Sequence, residues 1–467
     1  LATSTAPALS TAIDELDTRT RGKIIQPGSE EYDQARRVYN QMIDRRPAVI
    51  LRCQDAADVI AGVAFARDHG LDLSVRSGGH NVAGFGTNDN GVVLDLSAMN
   101  DVRIDPRHRV AHVGGGATFG DLDHAAWAFG LATPGGVIST TGVAGLGLGG
   151  GFGHLTRKFG LVIDNMLAAD VVTADGRLVR ASADENPDLF WAIRGGGGNF
   201  GVITALEMRL HEVPSIYGGP IFYPASESER VMTFYRDFMA SAPLDLNAFF
   251  AFHIAPPAPF VPEHLHGHTA CAIVVAWTGP LDQAAEVLRP IREAGPVALD
   301  LAGPIPYPAL NSMFDDLLPP GLNHYWKADF VSELTDEAIA LHTEHGPQVP
   351  TVQSLMHLYP LDGAVHDVES ADTAFSHRDV KFVHIIAGVD ADYGNMRAHK
   401  DWVRSYWSAL HPHSLAGGYV NFLMNEGEDR IRATYRQNYD RLSAIKGAWD
   451  PGNLFHMNQN IQPANAN

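Results

Sequence analysis

The stretch VRSGGHNVAGFGTNDNGVVLDLS, residues 75–97, sets a histidine, His80, directly after Gly78 and Gly79 in a loop between two apolar segments. Glycine reaches backbone angles closed to other residues and lets a ligand approach the main chain. Residues that do chemistry tend to sit on such loops, held by rigid elements on either side. His80 is therefore a candidate metal ligand, general base or covalent attachment point, or a histidine with no particular role. Working outward, AVILRC (48–53) reads as a strand, DAADVIAGVAFARDHG (55–70) as an amphipathic helix closed by Gly70, and LDLSVRS (71–77) as a second strand. Strand, helix, strand in that order predicts a parallel pairing.

Further strands are expected at 91–96, 109–116, 165–176 and 201–213, with turn residues between them. Residues 1–45 read as a polar lead-in ending in a helix over SEEYDQARRVYNQMI (29–43). The composition changes near Pro214, after which glycines thin out while prolines and aromatics increase. Strand-like AIVVAWTG and VKFVHIIAGV, with helical PLDQAAEVLRPIREAG and TDEAIALHTEHG, predict an α+β domain over 214–415 inserted between 1–213 and 416–467. At 467 residues the chain exceeds the roughly 250–300 that one hydrophobic core serves, so more than one domain is required.

A net charge of −20 with no long basic run argues against a nucleic acid as partner. No run of 18 or more apolar residues exists, so no membrane span is expected. Two cysteines, Cys53 and Cys271, are too few for a disulfide scaffold and favour a reducing cytoplasm. A chain that begins with Leu1 leaves a secreted origin open. In EHLHGH, His264, His266 and His268 would share a face only in an extended segment; flanking prolines favour a solvated loop, and no metal is expected. Asp164 and the pair Asp184 and Glu185 read as turn or helix-start acids.

Two more glycine clusters stand at 133–165 and 191–204. Gly145, Gly147 and Gly150 satisfy GxGxxG with Asp170 further on, but ATPGGVISTTG ahead of them is not the apolar strand a Rossmann site needs. A P-loop is excluded because the GK[ST] ending is missing. What remains is an anion-holding loop in which backbone amides and Ser139, Thr140 and Thr141 bind a pyrophosphate.

VRSGGHN, then GVVLDLS, TPGGVISTTGVAGLGLGGGFGHLTRKFGLVIDN, DLFWAIRGGGGNFGVIT and YDRLSAIKGAWDPGNLFHMNQNI resemble, in that order, the signature blocks of berberine-bridge-enzyme-like flavoproteins. These belong to the vanillyl-alcohol-oxidase (para-cresol methylhydroxylase) superfamily, and the look is nearest to bacterial oxidases such as the hydroxynicotine oxidases. The resemblance implies an α+β fold: a two-subdomain FAD-binding module built from both ends of the chain, with a substrate domain whose antiparallel sheet roofs the flavin. It implies a covalent bond from His80 to the flavin 8-methyl carbon. Arg76, Ser77, Gly78, Gly79 and Asn81 would contact pyrophosphate and ring. They would face a second loop containing Ser139, Thr140, Thr141, Gly142, Gly145, Gly149, Gly150 and Gly151. Val202 would lie near the flavin, and Asn458 and Gln459 would close over it. Many members carry a second tethering cysteine in that loop; Ile138 stands at the corresponding place, so a single tether is expected.

For substrate chemistry the family strand often reads YxNY, and this chain reads YVNF at 419–422. Phe422 cannot remove a proton. Read as a strand, the segment puts Tyr419 and Asn421 on one face with Phe422 turned opposite or packed, and Tyr435 is a further candidate. The alternative for each tyrosine is a buried ring with a satisfied hydroxyl. Tyr325, Trp326, Lys327 and His377 are candidate substrate-pocket residues, with ordinary sheet packing as the alternative. The function expected is an FAD-dependent oxidase of a small amine, alcohol or sugar-like molecule, with dioxygen as acceptor and hydrogen peroxide as product. The alternatives are a flavin dehydrogenase using another acceptor, a flavin-binding protein of weak catalysis, and, as outsider, a Rossmann dehydrogenase. Oligomeric state is left open.

Overall fold

A computed structural model describes residues 6–464. Three main sheets organise the chain. The first has four strands in the order Lys23–Ile25, Val49–Arg52, Val92–Asp95, Leu73–Arg76. The expected strand–helix–strand unit is present, and its two strands run parallel. They do not pair with each other, because Val92–Asp95 lies between them and pairs in parallel with both. The linking helix, Ala56–His69, starts where the Asp55 carboxylate accepts from the backbone N–H groups of Ala57 and Asp58, and ends at Gly70 with a left-handed φ of 61°.

The second sheet has five antiparallel strands in the order Val102–Asp105, Val110–Gly114, Val202–Arg209, Met166–Val172, Leu178–Ser182. Val59, Val63 and Ala66 of the helix share a core with Val172 and Val202 of this sheet and with Phe455 from the end of the chain. The helix Tyr439–Trp449 also returns to the first half, packing Leu442 and Ile445 with Leu189, Phe190 and Ile193. The buried Lys446 Nζ donates to Asp450 Oδ2 (2.6 Å) and to the Asn199 carbonyl (2.6 Å), so its charge is both paired and hydrogen-bonded.

The third sheet has eight strands, all antiparallel. Its long members lie in the order Ile216–Pro224, Thr269–Trp277, Leu246–Ile254, Leu355–Pro360, Phe382–Asp390, Asn323–Val331. Alternation of side chains assigns its two faces. Phe250, Phe252, Met356, Leu358 and Ile386 pack beneath the helices Ser228–Met239 and Met396–Leu410. Phe249, Ala251, Leu355, Tyr359, Ile385 and Ala387 face Phe152, Phe375 and Tyr419.

Two local expectations change. Within 29–43 only Tyr32–Ala35 is helical, and a longer helix, Ala6–Arg19, precedes it. Tertiary contacts override the helical pattern: Tyr39 Oη donates to the Leu318 carbonyl (2.6 Å) and Asn40 Nδ2 to the carbonyls of Val82 (2.8 Å) and His324 (3.1 Å). YVNF is not a strand, since Val420–Phe422 forms a single 3-10 turn. Among the described residues no helix is long and apolar enough to cross a membrane.

Candidate active site

The first parallel sheet ends at Arg76, and the chain then turns into the Ser77–His80 loop. Arg76 lines the same cavity as His80, but its guanidinium is taken up by protein partners. It is buried, pairs with Asp95 (3.0 Å) on the adjacent strand and donates to the Arg37 carbonyl (3.1 Å), so it anchors the loop. Gly78 meets the second loop backbone to backbone: a Cβ there would lie 2.5 Å from Gly142 N. Gly79 has a left-handed φ of 72°. His80 then stacks on Tyr39, with ring centroids 4.0 Å apart. Its Nε2 lies 2.9 Å from Thr140 Oγ1 and its Nδ1 3.5 Å from Thr141 Oγ1. Desolvation pulls the imidazole down to about 4, so it is neutral at pH 7.

His80 lines a cavity of about 310 Å³ between the two loops, the C-terminal segment and the eight-stranded sheet. Ser77, Gly78, Gly79, Asn81, Thr141, Gly142, Gly145, Asn458 and Gln459 line it as well. Several other candidates sit just behind its wall. Ser139 donates its N–H to Asp315 Oδ1 (2.9 Å), and Thr140 holds the imidazole. Gly149 backs onto Asn421, Gly150 onto Phe375, and Gly151 donates its N–H to Tyr419 Oη (2.8 Å). Val202 is buried in the sheet core while its neighbours Gly201 and Ile203 face the cavity. Gln459 spends its amide N–H groups on the carbonyls of Leu423 (3.1 Å) and Met424 (3.0 Å), tying the tail across the site.

At the sheet end, Tyr419, Asn421, Phe422, Tyr435 and Trp326 line the same cavity. Tyr419 Oη accepts from Gly151 N–H and from Asn421 Nδ2 (2.7 Å). Burial raises this phenol above its ordinary value, against the opposing effect of those two hydrogen bonds. Phe422 does not turn away, because the 3-10 turn brings it beside Tyr419, with ring centroids 4.9 Å apart. Three proposed pocket residues lie elsewhere. Alternation along Asn323–Val331 turns Tyr325 and Lys327 to the helix-covered face, where Tyr325 Oη accepts from Arg404 (3.1 Å) and Lys327 pairs with Glu426 (2.7 Å). His377 is buried outside the cavity, stacked 3.9 Å from Phe330, with Nε2 against the Thr434 carbonyl. Asp164, read as a turn acid, also forms a two-point ion pair with Arg378 (2.7 Å each).

Sequence reading missed His253, His324, His357 and Tyr359, all on the cavity wall. In FFAFHI and LMHLYP, His253, His357 and Tyr359 stand among apolar residues on what prove to be adjacent strands. Nothing in the sequence told which face of those strands meets the glycine loops. The histidines of EHLHGH occupy a 3-10 turn and the loop after it, away from the cavity.

Comparison with known proteins agrees with this architecture. Residues 47–182 match the model of an FAD binding domain, and 418–462 that of the berberine and berberine-like family. (R)-6-hydroxynicotine oxidase of Paenarthrobacter nicotinovorans is 34% identical over 95% of this chain and 97% of its own. An FAD-linked oxidoreductase of Dictyostelium discoideum is 30% identical over 97% of each chain. The crystal structure of 6-hydroxy-D-nicotine oxidase from Arthrobacter nicotinovorans superposes with a TM-score of 0.86 at 29% identity, covering 95% of this chain and 98% of that one. The chain belongs to the berberine-like FAD-linked oxidoreductases. It is an FAD-linked oxidoreductase.

The residues present fit FAD. Buried polar groups are normally hydrogen-bonded, yet Ser77 Oγ, Tyr435 Oη and Asn458 Oδ1, all on the cavity wall, have no protein partner. The space in front of Gly145 is open, leaving room for a ligand against the backbone.

Proposed function

We propose that the protein is an FAD-dependent oxidase of a small amine or alcohol, with the flavin held by one covalent bond to His80 and dioxygen reduced to hydrogen peroxide. Residues 1–213 and 416–467 form the flavin module and 214–415 the substrate domain. The observation that carries this reading is His80 itself, a neutral imidazole on the cavity wall behind two glycines, oriented by Tyr39, Thr140 and Thr141. Neutral imidazole is the nucleophilic form. A second tether has no supporting thiol, since Ile138 lines the cavity while Cys53 and Cys271 are buried in strand cores.

Bound FAD supplies a two-electron acceptor for a carbon bearing O–H or N–H. Ser77, Asn458 and Tyr435 present unpartnered polar atoms to it. Tyr419 accepts two hydrogen bonds, so its own proton is free to be donated to a substrate heteroatom. Phe152, Trp326 and Phe422 form aromatic walls that exclude water and suit a flat, largely apolar substrate. The relatives' substrate makes 6-hydroxynicotine the first compound to try.

The test is acid precipitation of the purified protein beside a His80→Ala variant. Flavin is expected in the wild-type pellet and in the variant supernatant; flavin released from both rules out the tether. Peroxide formed in step with substrate oxidation separates an oxidase from a dehydrogenase. Flavin that no amine, alcohol or sugar reduces under anaerobic conditions would mark a flavin binder without catalysis.

A further inference from the structure

Phe422 lines the cavity but has no group that could take a proton, and Tyr419 has only donors around its oxygen. The opposite wall offers a different arrangement. His253 on Leu246–Ile254 and His357 and Tyr359 on the paired strand Leu355–Pro360 share the cavity face. His357 Nδ1 lies 2.6 Å from Tyr359 Oη, and His357 Nε2 lies 2.6 Å from His253 Nε2. All three are nearly buried, with exposures of 5% or 7% or less: Tyr359 5%, His357 4%, His253 7%. Tyr359 also contacts Phe152, which packs against Tyr419 and Phe422, so the chain ends where those side chains gather.

Two neutral imidazoles joined through their Nε2 atoms must hold opposite tautomers, one donating and one accepting. When Tyr359 donates to His357 Nδ1, His357 carries its proton on Nε2 and donates to His253. The Tyr359 oxygen then has lone pairs free for another proton. Behind Tyr359 there is thus an acceptor at each link, which Tyr419 lacks. His253 Nδ1, at the far end, has no protein partner. The other titratable group acting on His357 is His154, also buried, and no carboxylate contacts the three among the described residues.

We propose that Tyr359 is the catalytic base of the substrate oxidation and that His357 and His253 relay its proton. This rests on the oxidase reading. The substrate O–H bond, or the N–H bond of an amine or of a tertiary ammonium such as protonated 6-hydroxynicotine, breaks and its proton joins Tyr359 Oη. The Tyr359 proton moves to His357 Nδ1, and the His357 Nε2 proton moves to His253 Nε2. His253, whose Nδ1 is buried without a partner, holds the positive charge while substrate is oxidised, and the proton returns by the same path to Tyr359 and out through the cavity once product leaves. The substrate's C–H hydrogen would leave with two electrons as a hydride to bound FAD, giving a carbonyl, an imine or, from a tertiary amine, an iminium product.

Wild-type, Tyr359→Phe, His357→Gln and doubly substituted holoenzymes are compared by anaerobic stopped-flow reduction with 6-hydroxynicotine and a panel of secondary amines and alcohols. The limiting rate of flavin reduction is expected to fall by about 100-fold or more in each single variant, with the substrate dissociation constant changed only a few-fold. The double variant should be no slower than the worse single one, because the groups act as one unit. Reduction by dithionite and the visible flavin spectrum should be unchanged. Proton NMR of wild-type holoenzyme should show low-field imidazole protons that disappear in both single variants, a readout independent of turnover. A Tyr359→Phe limiting rate within about threefold of wild type overturns the relay alone. Losses confined to the dissociation constant also overturn it, leaving these residues as pocket walls. A wild-type holoenzyme that nothing in the panel reduces overturns the oxidase reading and the relay with it. Should His357→Gln fail to fold, Tyr359→Phe, which removes a single oxygen atom, decides.

Discussion

Gly78 shows how much of the site depends on single atoms. A Cβ at that position would lie 2.5 Å from Gly142 N and 2.8 Å from Thr140 O, backbone atoms that cannot move without separating the two loops. Gly78→Ala should therefore cost about 1–3 kcal/mol or more of stability, seen as a lower melting temperature, and should lower FAD retention by displacing Thr140 from His80. Retention equal to wild type after gel filtration would show that the loops need not touch. His80 itself is legible in the sequence, because a histidine after two glycines has few structural uses. Its neutrality is not: the shift to about 4 arises from burial that tertiary packing supplies. Histidine 357 illustrates the opposite case, since LMHLYP has no local feature that separates a relay residue from a core one.

At the scale of elements, the 3-10 turn Val420–Phe422 acts as a clamp on the second glycine loop. Asn421 Nδ2 donates to the Leu146 carbonyl (2.9 Å) and to Tyr419 Oη, which also receives the Gly151 N–H. Tyr419→Phe leaves two buried donors without an acceptor, at a cost of about 1–3 kcal/mol for each group left unsatisfied. The variant should melt earlier and reduce its flavin more slowly, whereas Tyr393→Phe, which removes a hydroxyl from an exposed side chain outside the cavity, should melt like wild type. Equal melting of Tyr419→Phe and wild type would show that the clamp contributes nothing. Sequence periodicity predicts a strand over 419–422 because apolar and polar residues alternate there; the loop it docks on decides otherwise.

At the scale of the whole molecule, Asp123 on the helix Phe119–Trp127 accepts from Asn311 Nδ2 (2.6 Å) at the end of the helix Tyr307–Asn311, joining segments far apart in sequence. Burial raises this carboxyl to about 7, against the opposing hydrogen bond from Asn311. The folded protein therefore binds the proton more tightly than the unfolded chain, whose carboxyl titrates near 4. The stability contributed by the protonated carboxyl is complete below about pH 4 and is lost as pH rises through about 7. Asp123→Asn, which mimics the protonated form, should match wild type in melting temperature at about pH 4 and exceed it increasingly as pH rises to about 7. A constant difference across that range would show that Asp123 does not titrate there.

Local sequence determined the strand, helix and strand ahead of the His80 loop and the helix stop at Gly70, because these depend on residue type at short spacing. Five ordered sequence blocks were enough to indicate the family. Only the tertiary structure decided that Tyr325 and Lys327 face the helices, that YVNF becomes a turn, and that His253, His357 and Tyr359 meet on one wall. The reason is geometric: a strand residue's face depends on what packs against the sheet, and the two strands that bring His253 beside His357 are 104 residues apart in sequence at that contact.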